Sequence, residues 1–250
     1  FCAYRAKHYL SGATTVVVSG NIIEKEAEES VSKAFAQMPS GTKHAKTAVK
    51  EEQTKPALAV EEKKTDQVHL ALGLRTCDLY HKDVVALRVL SAVLGGGMSS
   101  RLFQKMREEL GICYYVGAAS ELFTDHGFLE ITAGVPAKRL AEAVSALLAE
   151  VKKIKEQEVG NEELARVKEH LTGSLYLGLE SSDAVAEFFG MQEIMRRPIL
   201  TPAEVVMKMR AVTATEIQRV ANHYLTKQNL NLALIGPVTD RTALLRSLVL

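Results

Sequence analysis

Two stretches far apart in the chain spell nearly the same structural unit. Residues 8–21 read HYLSGATTVVVSGN and residues 223–237 read HYLTKQNLNLALIGP. Each reads as the end of a helix, a polar turn, an apolar strand and a closing glycine. A helix then follows, over 24–37 in the first copy and about 239–248 in the second. The offset, from residue 8 to residue 223, is a domain-sized period and not that of a solenoid. The second copy has a full domain in front of it and the first has none. The spacing therefore predicts that residues 1–38 are the helix–strand–helix tail of a preceding, homologous domain. Pro39 stops the helix carrying Val31, Phe35 and Met38. The polar run 39–56 then has the composition of a linker to a domain at 57–250.

Within that domain the pattern predicts an α+β layer. A strand over 57–62 precedes strict alternation of Val68, Leu70, Leu72 and Leu74, which marks a half-buried strand. A mostly apolar helix follows over 82–94. Strands over about 112–122 and 127–135 are joined by a turn at Thr124-Asp125-His126-Gly127. Pro136 suits a first helical position, ahead of a stripe of Leu140, Val144, Leu147, Leu148, Val151 and Ile154. Asn161 opens a helix with Leu164, Val167, Leu171 and Leu175. Thr201…Glu204 and Thr213…Glu216 match the capping box, in which hydroxyl and carboxylate satisfy first-turn amides. Leu230, Leu232 and Leu234 form a last strand. Strands come early and late with helices between, so the layer is a mixed sheet covered by helices and not a doubly wound sheet.

Composition removes several functions. A formal net charge of +1 offers nothing to nucleic acid or an anionic membrane. No apolar run approaches the ~20 residues that span a bilayer. Cys2, Cys77 and Cys113 are too few and scattered for a disulfide framework or zinc knuckle, and they fit a reducing, cytoplasmic compartment. The seven histidines never fall three to five residues apart. Residues 166–170, Arg-Val-Lys-Glu-His, have the outline of the zinc helix H-x-x-E-H with arginine in the first ligand position. Arginine cannot ligate zinc, so Glu169 and His170 read as the polar side of a helix.

The chemistry concentrates in residues 95–116, GGGMSSRLFQKMREELGICYYV. A helix over 99–110 carries Arg107 near its end and Gly111 closes it. Tyr114 stands early in the next strand, and Tyr115 reads as packing on the opposite face. A guanidinium and a phenol at one helix–strand junction can hold a peptide backbone or steady an oxyanion. On spacing alone, a surface arginine paired with Glu108 or Glu109 beside a core tyrosine is the more economical reading. Gly95, Gly96 and Gly97 lack the Lys-Ser/Thr of a phosphate loop. They read as a tight turn, with Ser99 or Ser100 as cap and room for another backbone to approach.

These segments, GGGMSSRLFQ (95–104), REELG (107–111) and Tyr114, resemble the C-terminal half of pitrilysin-type zinc metallopeptidases. That family includes insulin-degrading enzyme and the mitochondrial processing peptidases. The resemblance extends through 66–73 (DQVHLALG), 162–165, 179–182 and 212–215 to the strand ending at Gly236-Pro237. It implies two homologous α+β domains, the first holding zinc on H-x-x-E-H and the second closing on the substrate. It also implies that Arg107 and Tyr114 bind the peptide and its oxyanion, and that Gly95–Gly97 belong to a region that handles substrate. Zinc would activate water in the complete enzyme. H-x-x-E-H is absent from 1–250, so the resemblance implies a chain inactive alone that pairs, as a homo- or heterodimer or within a longer polypeptide, with a zinc-binding N-terminal half. The other reading is a non-catalytic partner or structural subunit of the same fold.

Overall fold

The computed structural model describes residues 1–238 and 240–250. Its chain forms two compact units, one of residues 1–48 and 173–205 and one of residues 49–172 and 206–250. These bounds differ from the sequence segmentation: 173–205 groups with the N-terminal residues, and 49–56 groups with the sheet.

The larger unit is built on five strands: β1 (Ala57–Glu62), β2 (Val68–Thr76), β3 (Val116–Leu122), β4 (Gly127–Val135) and β5 (Leu230–Gly236). Their order is β1-β5-β2-β4-β3, with β1 parallel to β5 and the other pairs antiparallel. The mixed sheet expected from the pattern is therefore present. Alternation sets which face is dry. Val68, Leu70, Leu72 and Leu74 of β2 and Leu129, Ile131, Ala133 and Val135 of β4 are buried, while His69 between them is exposed.

Helices α3 (Val84–Gly95), α4 (Leu140–Glu156), α8 (Ala214–Tyr224) and α9 (Arg241–Ser247) cover that dry face. The expected α4 stripe is buried at all six positions. Each such aliphatic side chain contributes about 1.5–3 kcal/mol over exposure. Both capping boxes form: Glu216 N–H donates to Thr213 Oγ1 at 3.1 Å, and Glu204 N–H to Thr201 Oγ1 at 3.3 Å ahead of α7 (Pro202–Ala211). The expected last helix begins at Arg241, and its anticipated first residue, 239, lies outside the described residues. No helix among the described residues is long and apolar enough to cross a membrane.

The other sheet face carries no helix among these contacts, and its far end is strapped by chain that reads as linker. Val49 N–H donates to Asp125 Oδ2 (3.0 Å), Arg75 Nη2 to the Gln53 carbonyl (2.9 Å) and Gln53 Nε2 to the Leu230 carbonyl (3.1 Å). Polar composition marked 39–56 as a linker; within it, Val49 and Gln53 are held by these three hydrogen bonds.

The smaller unit contains α1 (Cys2–His8), α2 (Glu24–Phe35) and α6 (Ser182–Ile194), with part of α5 (Asn161–Leu177). Ser181 caps α6 by accepting from Ala184 N–H, and buried Gln192 makes two hydrogen bonds to the Leu200 backbone (2.9 and 3.1 Å). The apolar strand expected within 8–21 does not form. Val16, Val17 and Val18 stay 39–46% exposed, and the local pairing is one isolated bridge between Gly12 and Thr42. A β-propensity run becomes a strand only beside a ladder partner, and among the described residues this run has none.

One buried charge ties the helical layer together. Asp83, just ahead of α3, is 3% exposed and accepts from Arg219 Nη2 (2.5 Å) and from the Tyr224 hydroxyl (3.0 Å), both on α8. Burial opposes its charge, yet the bonds from Arg219 and Tyr224 prevail and hold its carboxyl below the ordinary value of 3.8. A depressed carboxyl stabilises the fold fully above its ordinary value and ceases to as pH falls through the lower folded value. Asp83→Asn is expected to cost about 2 kcal/mol at neutral pH. Its urea-unfolding stability should also fall less steeply than the wild type's below about pH 4.

Candidate functional site

The helix expected over 99–110 is replaced by a shorter, wider one. Phe103–Glu109 is wound as a π-helix, with Leu110 N–H donating to the Lys105 carbonyl (3.1 Å) and Ile112 N–H to Met106 (2.9 Å). Fully buried Leu102 and Met106 anchor it from below. Gly111 ends it at φ +57°, a left-handed conformation that glycine adopts without strain. Wide turns of this kind are rare and concentrate at functional sites.

Arg107 leaves the last turn of this helix exposed to solvent, with its guanidinium carbon 5.4 Å from the Phe103 ring centroid. It neither pairs with Glu109, which Lys105 takes, nor lies beside a core tyrosine. Its Nη1 donates to the main-chain carbonyl of Tyr114, and the Tyr114 side chain is 70% exposed. The structure thus brings both sequence-selected residues to one point, through the tyrosine's backbone.

Tyr114 precedes β3, which starts at Val116, four residues later than the pattern indicated. The cause is a β-bulge. Tyr114 N–H donates to the Gly134 carbonyl while Gly134 N–H donates to the Tyr115 carbonyl, both at 3.3 Å, so two residues face one. Tyr115 packs on the other face, over Gly134 and against His69. It is 43% exposed, and its hydroxyl shares a 2.9 Å hydrogen bond with His69 Nδ1.

The glycine turn is braced from two sides. A Cβ on Gly95 would overlap the Ala118 backbone nitrogen and stand 2.7 Å from the Gly117 carbonyl carbon, so this residue lies directly on β3. His170 Nε2 on α5 donates to the Gly96 carbonyl at 2.9 Å. Ser100 does not cap a helix; its hydroxyl donates back to the Gly97 carbonyl at 2.5 Å. Sequence reasoning placed His170 on a polar helix face and missed this bond, because a lone histidine carries no periodic signal.

The uncovered sheet face beside the junction is low. Across β1, β5, β2, β4 and β3 one row reads Ala59, Ala233, Ala71, Thr132 and Gly117. Its neighbour contains Ile235, His69 and Gly134. The depression on the other side of the π-helix offers less to a ligand. Arg101 already holds Glu163 through two 2.8 Å bonds, and Lys153 holds Glu150 at 2.6 Å.

Hydrolytic machinery is scarce among the described residues. No group of three or more His, Cys, Asp or Glu side chains there could hold a metal ion. Burial pushes the Cys113 thiol up, against a smaller opposing pull from Arg107, and pushes the Cys77 thiol up as well. Neither sulfur is an activated thiolate.

Gly95→Ala is expected to destabilise the chain by about 2 kcal/mol, because backbone cannot yield to the added carbon. Gly97→Ala, whose nearest neighbour would be His170 Nε2 at 3.5 Å, should shift the urea midpoint little.

A family model for the peptidase M16 inactive domain matches residues 1–171. The Bacillus subtilis (strain 168) protein described as uncharacterized zinc protease YmxG is 30% identical over 234 residues, 94% of this chain and 56% of that protein. Uncharacterized zinc protease Rv2782c of Mycobacterium tuberculosis (strain ATCC 25618 / H37Rv) is 31% identical over 189 residues, 76% of this chain and 43% of that protein. The chain thus spans about half the length of these relatives. In fold it is similar to the crystal structure of a peptidase M16 inactive domain from Pseudomonas fluorescens. The TM-score is 0.85 at 20% identity, covering 97% of this chain and 59% of that one. With sequence and fold in agreement, the chain belongs to the pitrilysin-type peptidase family M16 and carries the family's inactive domain.

Proposed function

We propose that this chain is the substrate-holding half of a zinc-dependent endopeptidase, working against a separate N-terminal half that carries the metal. The observation that carries the reading is the Arg107–Tyr114 junction. A permanently charged guanidinium is bonded to the main chain of a residue whose phenol is exposed, at the edge of an open sheet face. The relatives described as zinc proteases support the metal in the complete enzyme. The described residues of this chain do not fit a zinc ion, so the metal's ligands are assigned to the other half.

The chain's own contribution is binding and orientation. Arg107 spends one donor on the Tyr114 carbonyl, and a guanidinium has five. The remaining donors and the Tyr114 hydroxyl suit a peptide carbonyl, whose oxygen gains negative charge during hydrolysis. The low row from Ala59 to Gly117 leaves space for an extended peptide backbone, and the braced turn at Gly95–Gly97 supports β3 from the helical side. The same half would pair in a homo- or heterodimer or within one longer polypeptide. Three free cysteines accord with a reducing, cytoplasmic setting.

A structural subunit of the same fold is the second reading. It is favoured by the fact that Arg107 already has a partner in its own backbone. Turnover separates the two. With a zinc-binding half supplied, Arg107→Ala is expected to lower peptide turnover by about 100-fold, the usual loss for one oxyanion donor. Unchanged turnover would give the structural reading the case. The 250-residue chain alone is expected to hold no stoichiometric zinc and to show no chelator-sensitive hydrolysis.

A further inference from the structure

We infer that His69, Tyr115 and Gly134 form a positioning device that fixes Tyr114 with its carbonyl toward Arg107; the inference rests on the peptide-holding reading above. In a regular antiparallel pair, the residue opposite Gly134 would exchange both of its backbone bonds with it. At the bulge these roles are divided. Tyr114 supplies the N–H and Tyr115 the carbonyl, so Tyr114 is tied to β4 through its N–H while its carbonyl, off the ladder, accepts from Arg107.

An extra residue in a strand is held only if something fixes the register around it. The Tyr115 side chain does this. Gly134 has no side chain, and the Tyr115 ring lies across β4 in the space this leaves. A Cβ on Gly134 would stand 2.6 Å from Tyr115 Cε1 and 2.8 Å from Gln67 Oε1. The ring thereby reaches β2, where its hydroxyl meets His69 Nδ1 at 2.9 Å, with the two rings stacked 6.2 Å apart. His69 is paired in register with Gly134, so acceptor strand, gap and ring line up in one row. His69 on β2, Gly134 on β4 and Tyr115 just ahead of β3 therefore pin the bulge from the open face, one residue away from Tyr114. Neither side chain has a buried role that would otherwise account for the arrangement: His69 and Tyr115 are exposed.

The test is fluorescence anisotropy of a fluorescein-labelled, unstructured peptide titrated with the 250-residue chain, beside thermal unfolding of each variant. Tyr115→Phe and His69→Leu are each expected to weaken peptide binding about fivefold, the scale of one hydrogen bond. The double variant should be no weaker than either single one, because the two side chains share that bond. His69→Gln, which can still bond the phenol, should recover most of the loss. Melting temperatures should stay near the wild type's, because the pair is at the surface. Arg107→Ala serves as the reference. If it weakens binding while Tyr115→Phe and His69→Leu do not, or if their losses simply add, the positioning device is refuted and the grip survives. If Arg107→Ala itself leaves binding unchanged, the grip fails and the positioning inference falls with it.

Discussion

One-sided burial organises this molecule. Leucine, isoleucine and valine on alternate residues of β2, β4 and β5 turn to α3, α4, α8 and α9, and the sheet cannot turn its other face inward without exposing them. His69, Ala71 and Thr132 are left on the second face by the same alternation that makes the core. The register that sets the hydrophobic core therefore also decides which residues lie on the open face. Asp83, buried and bonded to Arg219 and Tyr224, locks the start of α3 against α8 and keeps the helical layer in place over that register.

On this regular frame, the local departures collect at one end of β3. A glycine turn lies directly on the strand, a π-helix ends in Arg107, and a bulge separates Tyr114 from its neighbour. Each costs something that a regular element would not, through poorer hydrogen-bond geometry or a lost ladder bond. Their combined effect is to bring the Arg107 guanidinium to the Tyr114 main chain at one end of the open face.

How much of this was legible follows from how far each signal travels along the chain. β1 and β4 have the bounds that their alternation and turn residues indicate, and the capping boxes form because every group they need lies within four residues. Arg107 and Tyr114 stood out through their fixed spacing and the family resemblance. The π-helix, the bulge and the His170–Gly96 bond were illegible because they depend on partners met only after folding: Gly134 for Tyr114, Gly96 for His170. The apolar run 14–18 fails for the same reason in reverse. Its residues favour a strand, but a strand needs a neighbour that local sequence cannot provide.

The most direct test of the division of labour is to ask what touches residue 114 during turnover. Benzoyl-phenylalanine installed in place of Tyr114 can be photo-activated with a zinc-binding half and a non-cleavable peptide present, and the adducts mapped by mass spectrometry. A peptide adduct at position 114, competed away by unlabelled substrate, is the result this account requires. Peptide cleaved at the normal rate with no adduct there would contradict it.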